Sequence, residues 1–443
     1  MRDWSPELVA EAAGVRLEGS APLAGGGPPG PLRVTIDSRD VAAGDLFVGL
    51  TGSNEDGGRY AADALAAGAW GVLVAPEFAR SVPREHPGVV LASDDPLAGL
   101  QALARSWRRA LGAQVIAITG SVGKTSTKDV LAAMLAQQRR VVASAENLNT
   151  EIGLPLSILA APAGTEVLVL EMAMRGAGQI AELAAIAEPD VGVIVNVGPV
   201  HLELLGTVEA VAAAKAELLV DLRPGATAVL PAGERLLDPH VRADLRTVTF
   251  GPGGDVDELG DDLELPFASE HMRLNALAAL AAARAVGVRP RGRLEITLSA
   301  LRGERIELPG PVLIIDDCYN ANPMSMRAAL DDLAESAPVR GRRVAVLGDM
   351  LELGSEEARF HAEIGTYARE CGVGVLVTVG PRAALMAAPY RGDDGHGEHH
   401  ATADASGASA LVRELVAPGD TILVKGSRGV GLEVVAQSLR AGV

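Results

Sequence analysis

Val115-Ile116-Ala117-Ile118-Thr119-Gly120-Ser121-Val122-Gly123-Lys124-Thr125-Ser126-Thr127-Lys128 is the stretch from which the rest of this chain is read. Four apolar residues run into a glycine-containing turn, and beyond it Val130, Leu131, Met134 and Leu135 recur at helical spacing. The pattern is strand, tight loop, helix. Such a loop aims backbone N–H groups and a helix N-terminus at one point, which suits a polyphosphate, while Lys124 adds a point charge and the Thr125 hydroxyl suits Mg²⁺. Position 118 is Ile, so the stretch carries the shorter G-x-x-G-K-T and not the full G-x-x-x-x-G-K-[ST]. The strand before it and the helix after it favour an ATP site over a glycine turn with a chance lysine. On that reading Gly120, Ser121, Gly123, Lys124, Thr125 and Ser126 surround the phosphates.

The chain has 443 residues, too many for one core, and a length of about 150 residues per domain points to three. Its net charge of −18 argues against nucleic acid or an anionic membrane as partner. No apolar run reaches the roughly 20 residues of a membrane span, and Met1-Arg2-Asp3-Trp4-Ser5-Pro6 does not open a signal peptide. A cytoplasmic protein without membrane insertion is expected. Two cysteines, Cys318 and Cys371, build no disulfide framework and are read as plain thiols. Of the 39 basic residues only four are lysines, Lys124, Lys128, Lys215 and Lys425. Where arginine supplies the general charge, a remaining lysine tends to sit where guanidinium cannot serve, although a coding bias explains the count equally well.

Residues 1 to 94 alternate short β-like runs (32–36, 46–50, 72–75 and 89–91) with a helix around 60–68 and a Gly/Pro loop over 21–31. Asp95 then caps, and Pro96 opens, a linker helix to Leu111. From 112 to 302 the pattern is strand, helix, strand, a P-loop-type parallel sheet with ligands at the carboxyl ends of its strands. Val167–Leu170 ends in Glu171, and the run 191–197 leads to His201, so two metal-capable side chains leave strands at the edge that holds the phosphate loop. Each is as readily structural as functional. Lys215 falls on the apolar stripe of a helix over 207–222, where it either snorkels outward or has a buried role. The acidic run 255–264 reads as a solvated excursion, and Asn275 as the start of a helix over 275–280.

From 303 to 443 a second array follows: strand 312–315, helix 325–335, strand 343–347, helix 356–370, strand 373–379, a helix near Pro381, a helix from 406, strand 421–424 and a last helix from 431. That is a Rossmann-like doubly wound domain, and the chain as a whole is expected to be α/β. The stretch 390–404, with His396, His399 and His400, reads as a polar loop that either binds a metal or is simply solvated.

Together these strings resemble the Mur ligases of peptidoglycan synthesis. The likeness rests on Asp37-Ser38-Arg39, the phosphate loop, Asn147-Leu148-Asn149-Thr150-Glu151-Ile152-Gly153, Glu171-Met172-Ala173-Met174-Arg175-Gly176 and Asn196-Val197-Gly198-Pro199-Val200-His201. It continues through Asp317-Cys318-Tyr319-Asn320-Ala321-Asn322-Pro323, Leu347-Gly348-Asp349-Met350-Leu351-Glu352-Leu353-Gly354 and Lys425-Gly426-Ser427-Arg428. The strings at 317–323 and 348–354 together look like the branch that adds D-alanyl-D-alanine.

A monomer is expected. The resemblance implies that Lys124 and Thr125 hold ATP phosphates and Mg²⁺, and that Thr125, Glu171, His201 and Lys215 ligate metal. Lys215 would act as a carbamate formed with CO₂. Asn275 would meet adenine, and Arg305 and Asp317 the nucleotide from the third domain. Ser38 and Arg39 would meet the acceptor UDP-N-acetylmuramoyl-tripeptide. Asn147, Asn149 and Thr150 would face the reacting groups, with Asn149 counted beside Lys124, Lys215 and His201 as catalytic. Asn322, Lys425 and Ser427 would serve the substrates, D-Ala-D-Ala among them. Departures lie at His271-Met272, Cys318, Asp56-Gly57-Gly58 and Gly429-Val430-Gly431. A sibling ligase, a folylpolyglutamate synthase-like enzyme and a non-catalytic ATP-binding relative are the alternatives.

Overall fold

Three sheets, one after another along the chain, carry the architecture of the computed structural model, which describes residues 1–21, 29–83, 86–145, 147–267, 269–336, 341–393, 395 and 397–441. Most of the loop expected over 21–31, and His396, lie outside the described residues.

The first sheet runs Arg16–Ala21, Gly88–Ala92, Gly71–Val74, Asp45–Val48, Arg33–Thr35, antiparallel only at its first pair. The second is six-stranded and wholly parallel: Arg246–Phe250, Thr227–Pro231, Val191–Ile194, Gln114–Thr119, Val167–Glu171, Val141–Ala143. The third runs Glu304–Leu308, Val312–Asp316, Thr421–Lys425, Arg343–Gly348, Val375–Val379, Glu398–Thr402, with only the first strand antiparallel. The protein is thus α/β with three main sheets. Parallel strands covered by helices on both faces must be apolar on both faces. Val167–Glu171 and Val375–Val379 are accordingly buried at every residue.

The helix Pro96–Leu111 starts where the sequence places it, because the Asp95 carboxylate accepts from Ala98 N (3.0 Å) and proline needs no N–H acceptor at its first position. Gly112 ends it in the left-handed region at φ 63°. Its Trp107 indole donates to Ala161 O (3.0 Å) in the middle unit, and its Ser106 hydroxyl donates to Ala12 O (3.0 Å) in the first. The Trp4 ring closes edge-on against Trp107 with centroids 5.4 Å apart. This helix is therefore a packed wall shared by two units.

Several elements differ from the sequence reading. The helix Pro6–Ala13 and strand Arg16–Ala21 went unread, since neither has a strong period, and their stability comes from packing on the shared helix and on Gly88–Ala92. The helix expected from Asn275 begins at Glu270 and runs to Ala285. Within the acidic run, Val256 and Leu263 are buried, and Leu263–Glu264 pairs with Gly292–Arg293. The stretch 390–404 is no plain loop: Glu398–Thr402 is an edge strand parallel to Val375–Val379. Backbone pairing forms this strand, so its polar side chains hid it. The His399 ring lies 3.1 Å from Thr378 Oγ1, and His400 lies 2.6 Å from the Glu398 carboxylate.

Candidate active site

The strand Gln114–Thr119 ends in the phosphate loop, and the helix Lys124–Ala136 begins directly after it. Gly123 sits at φ 78°, and a Cβ there would stand 2.3 Å from Asn275 Oδ1, so only glycine lets the loop pass beneath the helix Glu270–Ala285. Asn196, just past the neighbouring strand, fixes the loop's shape: its Oδ1 accepts from Ser121 N (3.1 Å) and Val122 N (2.9 Å), and its Nδ2 donates to Val122 O (3.0 Å). The first-turn N–H groups of the helix have no acceptor within the helix and open to the cavity. Lys124 bends back to donate to Gly120 O (2.9 Å).

Glu171 is the hub of the next layer. Nearly fully buried, it accepts from Thr125 Oγ1 (2.8 Å) on one oxygen and from Asn149 Nδ2 (2.8 Å) on the other. Its own N–H donates to Ser144 Oγ (3.1 Å), and Lys128 donates to Ser144 O (2.8 Å). Lys128 thus braces the hub and does not face ligand.

Lys215 is 2% exposed and forms no hydrogen bond or ion pair among the described residues, yet it lines the cavity. Burial, and then the charge of Lys124, push its ammonium well below the usual lysine range. Lys124 is lowered too, by burial first, against the pull of Glu171. His201, on the turn after Val191–Ile194, is lowered by burial despite the Glu352 carboxylate 2.5 Å from its Nδ1.

The opposite wall belongs to the third sheet. Lys425 holds the Asp317 carboxylate (2.5 Å) and Asn320 O (3.1 Å) at the ends of adjacent parallel strands. Asn322 caps the helix Pro323–Glu335 in a reciprocal capping box with Ser325. Ser427 accepts from Leu351 N (2.9 Å). The cavity between the walls has a volume of about 880 Å³. It brings together the phosphate-loop residues, Asn147, Asn149, Thr150, Glu171, His201, Lys215 and Asn275 with Asp317, Asn322, Lys425 and Ser427.

Three of the sequence candidates stand elsewhere. Ser38 and Arg39 line a separate, shallower depression of about 550 Å³ in the first unit, with Phe47 and Tyr60. There Arg39 donates to both Asp37 oxygens (2.8 and 2.7 Å) and holds that carboxyl down to about 2. Arg305 does not line the cavity; its guanidinium donates to Asp332 Oδ1 (2.7 Å) and Ser336 Oγ (3.3 Å). Conversely, Arg302 and Glu352 line the cavity and were not singled out. Nothing local distinguishes Arg302 from the other arginines, and Glu352 lay inside a quoted string without a role.

A family model for the Mur ligase middle domain matches residues 118–283, and one for the Mur ligase glutamate ligase domain matches 301–428. The UDP-N-acetylmuramoyl-tripeptide--D-alanyl-D-alanine ligase of Bacillus subtilis is 36% identical, with 92% of each chain covered. The chain belongs to the Mur ligase family. Among solved structures, MurF from Acinetobacter baumannii superposes with a TM-score of 0.82 at 27% identity over 99% of each chain. MurF ligase from Thermotoga maritima, solved in complex with ADP, gives 0.78 at 30% identity over 93% of this chain and 98% of that one. The middle and third units face each other across the cavity. No helix among the described residues is long and apolar enough to cross a membrane.

Proposed function

We propose that this chain is an ATP-dependent ligase that joins D-alanyl-D-alanine to UDP-N-acetylmuramoyl-tripeptide, releasing ADP and orthophosphate. The observation that carries the reading is the meeting of Lys124, Lys215 and Glu171 on one wall with Asp317, Asn322 and Lys425 on the other. The acceptor's carboxylate oxygen bonds to the γ-phosphorus as the bond to the β-bridging oxygen breaks, giving an acyl phosphate and ADP. The dipeptide's amine nitrogen then bonds to the acyl carbon, loses a proton, and expels phosphate. The first step brings two anions together, so its demand on the protein is charge neutralisation and alignment.

Lys124 and the helix N–H groups behind it supply fixed positive charge at the phosphates. Asn149, held by Glu171, faces the reacting groups with Asn147 and Thr150, and Asn275 lies at the adenine side. Lys425, Ser427 and Asn322 present the third unit to the substrates, and Ser38 and Arg39 hold the uridine nucleotide in the first. The division is residues 1–94 for the uridine nucleotide, 95–111 as connecting helix, 112–302 for ATP and 303–443 as the closing unit.

The donor set fits Mg²⁺: Thr125 and Glu171 offer hard oxygens, and His201 stands on the same edge. Lys215, buried without a partner beside Lys124, fits poorly as an ammonium and well as the neutral amine that takes up CO₂ to become a carbamate. Thr125, Glu171 and His201 would hold Mg²⁺, and carbamylated Lys215 would help hold a second ion, which together would supply charge neutralisation at the phosphates. The protein acts as a monomer in the cytoplasm.

Orthophosphate release measured with each substrate omitted in turn tests this reading. Release that requires ATP, the UDP-linked tripeptide and D-Ala-D-Ala supports it; product formation with another amine in place of the dipeptide overturns it.

A further inference from the structure

Lys128 and Asp129 lie on the phosphate-loop helix, one turn beyond Lys124 and Thr125, and neither lines the cavity. Their side chains are 4% and 9% exposed and form an ion pair, Nζ to Oδ1, at 3.0 Å. Burying such a pair returns little net stability, and apolar side chains of similar size often do as well. What apolar side chains could not do is hold polar groups of other segments, and this pair holds three. Lys128 Nζ donates to Ser144 O (2.8 Å), while Asp129 Oδ2 accepts from Ser299 N (2.8 Å) and Ser299 Oγ (2.9 Å).

Each tether stands at the root of a working segment. Ser144 follows the edge strand Val141–Ala143 and opens the stretch that leads to Asn147, Asn149 and Thr150 on the cavity wall. Its Oγ accepts from Glu171 N (3.1 Å), and Asn149 Nδ2 returns to the Glu171 carboxylate (2.8 Å), so the stretch is fastened to Glu171 at both ends. Ser299 ends a run that lies back along the phosphate-loop helix. Gln138 Nε2 donates to Arg289 O (2.9 Å) and Gln137 Nε2 to Arg291 O (2.7 Å) before Asp129 takes Ser299. Just beyond, the chain turns at Leu301 (φ 60°), whose O accepts from Tyr319 N (3.3 Å), and Gly303 N donates to Asp316 O (3.0 Å). Asp129 is thus where the middle unit grips the chain before it passes to the third.

We propose that Lys128 and Asp129 are positioning residues of the ligation: a buried charge pair through which the seating of the linker at Ser299 sets the stretch 144–150, and with it Asn149 and Glu171, against the bound nucleotide. The proposal rests on the ATP reading above and adds to it two residues that touch no substrate. The path is contiguous, from Ser299 through Asp129, Lys128 and Ser144 to Glu171, and every link is a hydrogen bond or an ion pair. A lysine suits the middle link, because its compact ammonium donates to a carboxylate and to a backbone carbonyl in different directions at once.

Deuterium exchange and steady-state kinetics of the full-length protein test the path from its two sides. Ser299→Ala removes one of the two bonds to Asp129 and leaves the fold in place. With AMP-PNP and magnesium present, it should speed exchange at the amides of Leu148 and Asn149, which donate to Ala145 O and Asn147 O, about threefold, the low end of coupling within one network. Asp129→Asn keeps an acceptor for Ser299 and breaks the charge pair. It should lower kcat about tenfold, as the loss of a group bracing a ligand typically does, and keep the KM for the UDP-linked tripeptide within about twofold. The double variant should turn over no more slowly than Asp129→Asn alone, because both changes cut one path. Unchanged exchange at Leu148 and Asn149 in Ser299→Ala overturns the proposal. So does a double variant whose losses multiply, or an Asp129→Asn protein that loses thermal stability and keeps its kcat. If the wild-type protein shows no dipeptide-dependent phosphate release, the ligase reading falls, while exchange in AMP-PNP still decides the path.

Discussion

His201 Nδ1 and Glu352 Oε2 share a 2.5 Å hydrogen bond across the junction of the middle and third units, and both residues, neither of them glycine, hold positive φ, 53° and 63°. Each such conformation costs on the order of 1–3 kcal/mol and persists only where the surroundings over-determine it. Here they do. Glu203 N donates to Glu352 O (3.3 Å), and Gly354 lies against the Glu203 backbone. Gly198, near His201, leaves no room for a Cβ beside Met324 Sδ of the third unit.

Glu352→Ala should therefore loosen the junction before it harms either unit. The carboxylate is partly exposed, so the loss in stability is expected to be about 1 kcal/mol, below the value for a buried charged bond. Small-angle scattering of the free protein should show a larger radius of gyration than the wild type, and Glu352→Gln should restore much of the compaction. An unchanged radius for the alanine variant refutes the latch.

Lys124→Ala should leave the fold intact, since the one described hydrogen bond of the side chain goes to the Gly120 carbonyl, while ligation falls on the order of 10²- to 10³-fold. Circular dichroism and steady-state phosphate release check the two halves of this statement. Turnover within about tenfold of wild type contradicts the assigned role of the loop.

Lys215→Arg should be as damaging as Lys215→Ala, because guanidinium forms no carbamate. Bicarbonate or a short carboxylic acid should partly rescue the alanine variant and not the arginine one. Near-normal turnover of Lys215→Arg in magnesium would sink the carbamate.

Lys215 also makes a prediction about pH. Its folded pKa lies below the unfolded one, so across the interval between them the unfolded chain binds more protons and stability rises with pH. As pH falls through that interval this contribution is lost. In the absence of ligands, Lys215→Met should raise the melting temperature at neutral pH and flatten its rise toward alkaline pH. Thermal scans of both proteins over a pH series, with CO₂ excluded, decide it.

By itself the sequence determined whatever is encoded within a few neighbouring residues. The phosphate loop and its helix, the Asp95–Pro96 start of the shared helix, and the apolar runs that became buried parallel strands all rest on local spacing and capping, and all were legible. So was the oddity of Lys215 on an apolar stripe, because burial of one helix face follows from its own period. Tertiary structure alone decided what depends on which distant segments meet. Glu398–Thr402 is a strand through backbone pairing with Val375–Val379, a gain that no side-chain pattern announces. Arg302 lines the cavity, and Arg305 does not, because Asp332 captures the later arginine. Glu352 meets His201 from 151 positions further along the chain because two walls from different sheets close on each other, and contact between walls is a property of packing and not of sequence period.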